Sequence, residues 1–332
     1  MRLGWAALWL LVLLLVAGAI SLQVINRHLN LAGNVIAQRA ANHPHPLRVL
    51  GADGQWTEID QLTAPAAAAA LRPLYQRQGM RVDRWLVSRE PTGRIDRALN
   101  ALVRQEILYI QLSPLDFRFE TSFLPEFEGT TASERLESGG HHFSLTANFH
   151  DPEGRPLGWV VHRGREVNPM FPAWSGFFFV KDGRPWFGPR SLLHETEGVL
   201  TEAFQVYPSL MKDHTVFSYV DLQPDRFFDG RRITHRSLGG VRRDGTVVFI
   251  LSGTGGVLNV AEAARLAHLA NLQHATLLDG GRALQYAIRD GRFSHRFHAF
   301  NTELERVPER LAPVRPPVFL TATRRPDIPP PP

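Results

Sequence analysis

The chain has 332 residues, of which 44% are hydrophobic, 10% aromatic and 21% charged, and it contains no cysteine. This composition is typical of a globular protein and excludes a disordered chain, a collagen-like repeat and a disulfide-stapled scaffold. The 37 Lys and Arg residues against 32 Asp and Glu give a net charge of +5, and only two of the basic residues are lysines. The arginines are scattered along the chain rather than clustered, so we expect no nucleic-acid partner.

The N-terminus is the most apolar part of the chain. Residues 3–22 read LGWAALWLLVLLLVAGAISL, with Arg2 in front of them. About 20 apolar residues suffice to cross a bilayer as a helix, and the positively charged end stays in the cytoplasm. We therefore expect residues 1–25 to form a single-pass inner-membrane anchor, with the main domain on the periplasmic or extracellular side. Ala17-Gly18-Ala19 has the form of a signal-peptidase site, so a cleaved signal peptide is the alternative.

The remainder divides by its pattern into three regions. Residues 26–105 contain a proline-rich interruption near residue 44 and carry no recognisable chemistry, which predicts a stalk and a small N-terminal region. Residues 106–318 alternate short apolar runs with turn signals, which is typical of a domain built from β-hairpins. The hairpin signals are Asp182-Gly183, Asp229-Gly230, Asp244-Gly245 and Asp290-Gly291. Residues 319–332 end in four prolines and predict an extended tail.

One helix is strongly predicted in the long region, at residues 260–271. Asn259 is the expected N-cap, and Glu262 three residues later completes a capping-box pattern. A short apolar strand at residues 275–278 follows and ends in Asp279-Gly280-Gly281. These patterns together predict an α+β fold of mixed, largely antiparallel sheets with a few packed helices, preceded by the N-terminal transmembrane helix.

Four segments place polar residues where predicted strands end. A carboxylate after a buried strand, followed by two glycines, lets a ligand approach the backbone closely. An arginine beside a glycine pair can offer a planar guanidinium to a phosphate. Each segment alone is more simply interpreted as an ordinary turn, loop or surface residue. In chain order the segments are residues 145–158 (LTANFHDPEGRPLG), 204–210 (FQVYPSL), 236–241 (RSLGGV) and 278–281 (LDGG).

In this order the four segments resemble the motifs of the phosphodiester glycosidase family, which includes many bacterial envelope proteins. Members typically show Asn-Ala-Gly-Phe-Phe, then Gln-x-Gly-Pro-x-Leu, an Arg-x-x-x-Gly strand with an Asp-Gly hairpin, a helix and Leu-Asp-Gly-Gly. The likeness covers about residues 106–318, and the ordered set is more specific than any one motif. The counterparts are residues 146–150 (TANFH), 205–210, 236–240 with Asp244-Gly245, 262–269 and 278–281.

The chain departs from this pattern at several motif positions. Thr146 stands where the family usually has asparagine, although Asn148 lies two positions on. Tyr207 replaces the glycine of the Gln-x-Gly-Pro segment, and Arg282-Ala283 follows the two glycines where many members have small polar residues. These departures suggest either a different substrate or a domain that has lost activity and only binds.

The resemblance implies a hydrolase that cleaves a sugar-1-phosphodiester between the anomeric carbon and its oxygen. The expected substrate is a carbohydrate or sugar phosphate of the cell envelope. In such a mechanism Arg236 would hold the phosphate, and Asp279 would act as nucleophile, general base or cation stabiliser. Asp151 is the candidate for a second carboxylate, because glycosidases usually use two.

The resemblance also supplies candidates for substrate binding. The residues expected to contact the sugar or to admit it near the backbone are Thr146, Asn148, Gln205, Gly280 and Gly281. No histidine group has the spacing of a known zinc motif, so we expect no metal site and no cofactor, with a divalent cation at the carboxylates left open.

Two non-enzymatic interpretations remain beside this one. The altered motif positions favour a catalytically altered, membrane-tethered domain that binds envelope glycan without cleaving it. The second non-enzymatic interpretation is a structural partner in envelope assembly, and only the anchor and the proline tail support it. The absence of cysteine excludes a thiolate nucleophile, which leaves the carboxylates to carry the chemistry.

Overall fold

The computed structural model describes residues 2–42, 44–89, 93–94, 103–217, 229–299 and 314–326. Within these ranges the chain forms six α-helices and twenty β-strands, so the predicted α+β class is confirmed. The helices are α1 (Arg2–Leu29), α2 (Leu31–Asn42), α3 (Ala64–Ala69), α4 (Ala132–Ser138), α5 (Arg190–Glu195) and α6 (Val260–Leu269).

The strands fall into three sheets. They are β1 (Leu47–Leu50), β2 (Trp56–Glu58), β3 (Arg72–Arg77), β4 (Met80–Arg89), β5 (Glu106–Leu112), β6 (Phe117–Phe123), β7 (Phe143–Thr146), β8 (Val160–His162), β9 (Arg165–Asn168), β10 (Gly176–Lys181), β11 (Arg184–Pro189), β12 (Leu200–Val206), β13 (Ser209–Lys212), β14 (Thr215–Val216), β15 (Ser237–Val241), β16 (Val247–Ser252), β17 (His274–Leu278), β18 (Gln285–Asp290), β19 (Phe293–His298) and β20 (Val318–Arg324).

The largest sheet has ten strands, in the order β14-β13-β17-β15-β16-β5-β4-β1-β2, with β3 paired to β4. The second sheet runs β11-β10-β12-β8-β9 and the third runs β19-β18-β7-β20-β6. Every pairing between these strands is antiparallel, as predicted. Three of the four predicted Asp-Gly hairpins are present, between β10 and β11, β15 and β16, and β18 and β19. Asp229-Gly230 instead lies in the loop before β15.

The three sheets enclose a common apolar core. Phe249 of the ten-stranded sheet stacks on Phe143 of the third sheet, with ring centroids 4.7 Å apart. Phe178 and Phe204 of the second sheet stack on each other at 4.8 Å and belong to the same buried cluster. Burying each such side chain stabilises the fold by about 1.5–3 kcal/mol. The three sheets are held together by this shared core, which also contains aliphatic side chains from each of them.

Helix α6 covers the outer face of the ten-stranded sheet. Its N-cap Asn259 Oδ1 accepts a hydrogen bond from the Glu262 N–H at 2.8 Å, and Glu262 Oε2 accepts one from the Asn259 N–H at 2.9 Å. The predicted capping box is therefore confirmed. The apolar face of the helix, including Ala263, Leu266 and Ala267, is buried in a second core cluster with the sheet.

The N-terminal segment is helical, and α1 exposes Trp5, Trp9 and Leu13 to the surroundings. Among the residues whose side chains are described, no helix is long and apolar enough to cross a membrane. The predicted transmembrane helix is therefore not found here, and membrane anchoring stays a prediction.

Strands from the expected N-terminal region and from the expected main domain share one sheet. Strands β1 and β4 pair with each other, and β4 pairs with β5 along seven residues, so the sheet continues across residue 105. Strand β20 occupies residues 318–324, so the first part of the expected tail is a strand of the third sheet. Residues 327–332 lie outside the described part of the chain, and the domain boundaries stay predictions.

Candidate active site

The candidate site lies where the ends of β7, β15 and β17 meet. Ser237 of β15 pairs with Leu278 of β17, so Arg236 and Asp279 are neighbours just beyond that pair. The Asp279 N–H donates to the Ala147 carbonyl at 3.1 Å, which joins the end of β17 to the end of β7. The site is therefore at the junction of the ten-stranded sheet with the third sheet.

The two glycines after Asp279 keep the chain close to β15. A Cβ at position 280 would stand 2.7 Å from the His235 carbonyl oxygen, which excludes a side chain there unless the backbone moves. The Gly281 N–H donates to the same carbonyl at 2.7 Å, and Gly281 has a φ of +58°, which glycine adopts without cost. The close approach of the two backbones thus requires glycine at position 280, and the positive φ favours glycine at position 281.

Asp279 is buried, with 5% of its surface exposed. Its Oδ1 accepts a hydrogen bond from the Gly280 N–H at 2.8 Å. Its Oδ2 lies 3.6 Å from Nδ1 of His150 and has no hydrogen-bond partner among the described residues. Burial raises the pKa of the Asp279 carboxyl and outweighs the lowering effects of His150, the Gly280 N–H and Arg236.

Arg236 is also buried, at 7% exposure. Its guanidinium donates to the backbone carbonyls of Asp229 at 2.9 Å and Arg232 at 3.0 Å, which fix its position beside Asp279. Burial lowers the pKa of the Arg236 guanidinium to about 10, so it stays charged at neutral pH. Arg236 and Asp279 therefore lie at adjacent strand ends, both buried, and the charge of each side chain affects the pKa of the other.

The segment after β7 brings further polar groups to this carboxylate. Asn148 is fully buried; its Nδ2 donates to the Leu157 carbonyl at 3.4 Å, and its Oδ1 has no partner among the described residues. His150 faces Asp279, and two contributions, from Asp279 and from Asp151, raise the pKa of its ring although burial works against them. Asp151 itself sits in the following turn, where its Oδ1 accepts a hydrogen bond from the Arg155 N–H at 2.7 Å.

Two of the expected substrate-binding residues are engaged with the protein's own backbone. Thr146 donates its hydroxyl to the Ala283 carbonyl at 2.8 Å and accepts from the Gln285 N–H at 3.2 Å. Thr146 therefore holds the loop that follows Asp279 and the two glycines. This contact gives Thr146 a positioning role in the structure.

Gln205 uses its whole side-chain amide on the backbone, mostly on the loop that contains Phe171 and Trp174. Its Oε1 accepts from the N–H groups of Trp159 and Phe171, and its Nε2 donates to the carbonyls of Phe171 and Trp174. Two acceptor and two donor bonds use all the hydrogen-bonding capacity of a glutamine side chain. Gln205 therefore fixes an aromatic loop, in which Trp174 packs edge-on against Phe149 with ring centroids 5.2 Å apart.

Sequence reasoning missed His235. Its backbone carbonyl accepts the hydrogen bond from Gly281 in the loop that follows Asp279. Its ring is fully buried, it lies 5.6 Å from the ring of Phe297, and neither ring nitrogen has a hydrogen-bond partner among the described residues. Burial lowers the pKa of His235 to about 4, so the ring is neutral at pH 7. Nothing in the local sequence distinguishes this histidine from an exposed one.

His235 makes a pH-dependent contribution to stability. Its folded pKa lies below the ordinary value of 6.5, so protonation favours the unfolded chain. The free energy of unfolding should lose up to about 3 kcal/mol from this group as the pH falls from 6.5 to 4. Urea unfolding across this range should show a smaller acid loss in His235→Phe than in the wild type. Equal losses in the two proteins would contradict the assignment.

Metal-binding side chains do not converge at the site. Within the described ranges no group of three or more histidine or carboxylate residues is arranged to hold a metal ion.

A family profile matches the part of the chain that contains the site. The profile of the family described as phosphodiester glycosidase matches residues 141–312, just over half of the chain, and includes Asn148, Arg236 and Asp279. The chain belongs to this family. No curated protein sequence matches this phosphodiester glycosidase family member significantly.

Two solved structures share the fold. The catalytic domain of zebrafish N-acetylglucosamine-1-phosphodiester alpha-N-acetylglucosaminidase, auto-inhibited by its pro-peptide, has 12% identity and a TM-score of 0.55 over 77% of this chain and 87% of its own. A hypothetical protein from Synechocystis has 10% identity and a TM-score of 0.53 over 77% of this chain and 64% of its own. At these identities the likeness shows the fold alone.

Proposed function

We propose that this chain hydrolyses a sugar-1-phosphodiester of the cell envelope between the anomeric carbon and its bridging oxygen. The family supports glycosidase-type action on phosphodiesters. The observation that carries the proposal is the buried carboxylate of Asp279 beside the buried guanidinium of Arg236 at the two strand ends. The name of the zebrafish protein suggests N-acetylglucosamine as the first sugar to test.

The chemistry of this bond suits the charges at the site. Breaking the bond between the anomeric carbon and oxygen releases a phosphate monoester, which is a weak base and leaves with little proton donation. The site must then stabilise a negatively charged leaving group and a cationic, oxocarbenium-like sugar. In this proposal Arg236 faces the phosphate, and Asp279 supports the positive charge that develops at the sugar.

An aromatic surface that packs against Phe149, the residue before His150, supports a sugar substrate. Phe171 is 43% exposed and its ring lies 5.3 Å from that of Trp174, on the loop that Gln205 fixes. Ligand pockets are typically lined by aromatic side chains with a few placed polar groups. In this proposal the loop receives a face of the sugar, and the unpaired amide oxygen of Asn148 accepts from a sugar hydroxyl.

Localisation belongs to the same proposal. We place the site on the periplasmic or extracellular side of the inner membrane, with the apolar residues 3–22 as a single-pass anchor. Alkaline carbonate washing should leave the full chain in the membrane fraction, whereas a chain without residues 1–25 should be released. Release of both would contradict the anchor.

The activity can be tested with a single substrate that reports which bond breaks. Incubating the full chain with the p-nitrophenyl diester of N-acetylglucosamine-1-phosphate should release free sugar and p-nitrophenyl phosphate. Release of p-nitrophenol with sugar-1-phosphate would indicate cleavage at phosphorus and would contradict the proposal. Extending the assay to other hexoses identifies the sugar if N-acetylglucosamine is not the one accepted.

The alternative is a domain that binds glycan without cleaving it. The departures from the family motifs at Thr146 and Tyr207, and the engagement of Thr146 with the backbone, favour this alternative. It predicts that the same diesters bind, as measured by calorimetry, but are not turned over. Turnover that depends on Asp279 would exclude it.

A further inference from the structure

Two unpaired polar atoms of the site, one on His150 and one on Asp279, face each other. His150 Nδ1 and Asp279 Oδ2 are 3.6 Å apart, both are buried, and neither has a hydrogen-bond partner among the described residues. This distance is slightly too long for a hydrogen bond, but catalytic hydrogen bonds are often long before substrate binds. A possible proton donor, His150 Nδ1, and an acceptor, Asp279 Oδ2, therefore face each other, and neither atom bonds to another described group.

The remaining atoms of the two groups are oriented differently. Asp279 Oδ1 already accepts from the Gly280 N–H, so Oδ2 is the oxygen turned to the imidazole. His150 is 16% exposed at its side chain, and only Nδ1 of its two nitrogens is buried without a partner. From the interior outwards, the groups are therefore the Asp279 carboxylate, then His150 Nδ1, and then His150 Nε2 on the accessible side of the ring.

The surrounding charges favour a proton between His150 Nδ1 and Asp279 Oδ2. Burial alone would lower the pKa of His150, but the nearby carboxylate of Asp279, with the charge of Asp151, raises it overall. Arg236 is the cation next to Asp279 and stabilises its ionised form. An imidazole held by a carboxylate through Nδ1 keeps its proton there and offers the Nε2 lone pair.

We propose that His150 is a catalytic general base of the proposed hydrolysis, with Asp279 as the carboxylate that orients it. This inference rests on the proposed function. Water attacks the anomeric carbon while its proton passes to His150 Nε2, and the bond between the anomeric carbon and oxygen breaks with its electron pair going to the phosphate monoester. The products are the free sugar and the monoester dianion, and the imidazolium then returns its proton to solvent.

This arrangement also sets the stereochemical outcome. Asp279 is 5% exposed, and its two oxygens face the Gly280 N–H and the His150 ring. In this proposal Asp279 Oδ2 holds the imidazole and bonds to no carbon of the sugar, so no covalent glycosyl intermediate forms. Attack by water in one step inverts the anomeric configuration, so the first product formed should have the opposite anomeric form to the substrate.

His150 also occupies a position where the family motif carries phenylalanine. A phenylalanine cannot carry a proton, so the imidazole is a feature of this chain rather than of the motif. In this proposal His150 takes the catalytic role that was expected of Asp151 as a second carboxylate. The Oδ1 of Asp151 is held in the turn by the Arg155 N–H, and Asp151 acts on the site through the charge that it adds beside His150.

The test compares His150→Gln with a matched control in the full chain. His162→Gln removes another histidine that faces a carboxylate, with Nδ1 3.1 Å from Glu202 Oε2. Wild-type and H162Q kcat/KM should rise with pH through an apparent pKa above 6.5. H150Q should lose about 10²-fold or more in kcat with little change in KM, and its ascending limb should disappear. NMR should show the inverted anomer as the first sugar formed.

The outcomes separate this proposal from the proposed function. A wild type that cleaves the diester but forms the retained anomer first would overturn the base role and leave the proposed function standing. The base role would also be overturned, with the proposed function left standing, if H150Q keeps the wild-type pH profile. A loss of the ascending limb of the kcat/KM profile in H162Q as large as that in H150Q would have the same meaning. No turnover by the wild type on any sugar diester would overturn the proposed function and the base role together.

Discussion

Replacing Asp279 with asparagine is expected to lower kcat/KM by about 10³-fold or more. Asparagine has the same shape, but it cannot stabilise the imidazolium of His150 or the cationic sugar. Its amide N–H also turns His150 Nδ1 into an acceptor, which moves the ring proton to Nε2 and removes the base. Steady-state kinetics with the sugar-1-phosphodiester measure this loss.

The fold should survive this substitution, because burial already disfavours the charged form of the Asp279 carboxyl. The thermal unfolding midpoint of D279N is therefore expected to equal or exceed that of the wild type. Asp244→Asn is the matched control, since Asp244 accepts from the Thr246 N–H in an exposed hairpin turn. A D279N protein that is folded and retains more than a tenth of the activity would contradict the assignment.

Replacing Arg236 with lysine is expected to reduce kcat/KM by about 10²- to 10³-fold on a phosphodiester. Lysine retains a charge but lacks the planar group that is held by the Asp229 and Arg232 carbonyls. The loss should be much smaller on an aryl glycoside of the same sugar, because that substrate carries no phosphate. The ratio of the two losses is the measurement.

Equal losses on both substrates would show that Arg236 supports the fold of the site rather than the phosphate. Arg296→Lys serves as the control, because Arg296 is a half-exposed residue of β19 that pairs with Glu137 on the surface. Exposed ion pairs of this kind contribute about 0–1 kcal/mol, so R296K should leave both activities unchanged.

Features with local causes could be predicted from the sequence. The capping box of Asn259 and Glu262 is formed by residues three apart, and it starts α6 where expected. The Asp-Gly hairpins require only a turn between paired runs, which is why three of four were predicted correctly. Asp279-Gly280-Gly281 follows its strand as predicted, since apolar residues 275–278 and the glycines mark both sides of that boundary.

Features that depend on distant pairings could not be predicted. His150 meets Asp279 only because the Asp279 N–H bonds to the Ala147 carbonyl and brings two sheets together. Gln205 was expected at the substrate, but the path of the loop to Phe171 and Trp174 directs its amide inward. Neither the register between the sheets nor the path of that loop can be predicted from residues that are neighbours in the sequence.

The position of the broken bond tests the central claim most directly. Hydrolysis of the sugar-1-phosphodiester by the full chain in ¹⁸O-labelled water should place the label in the hydroxyl group on the anomeric carbon of the free sugar. Mass spectrometry of both products measures where it goes. Label in the sugar and none in the phosphate monoester is the predicted result, whereas label in the phosphate would contradict glycosidase chemistry at Asp279.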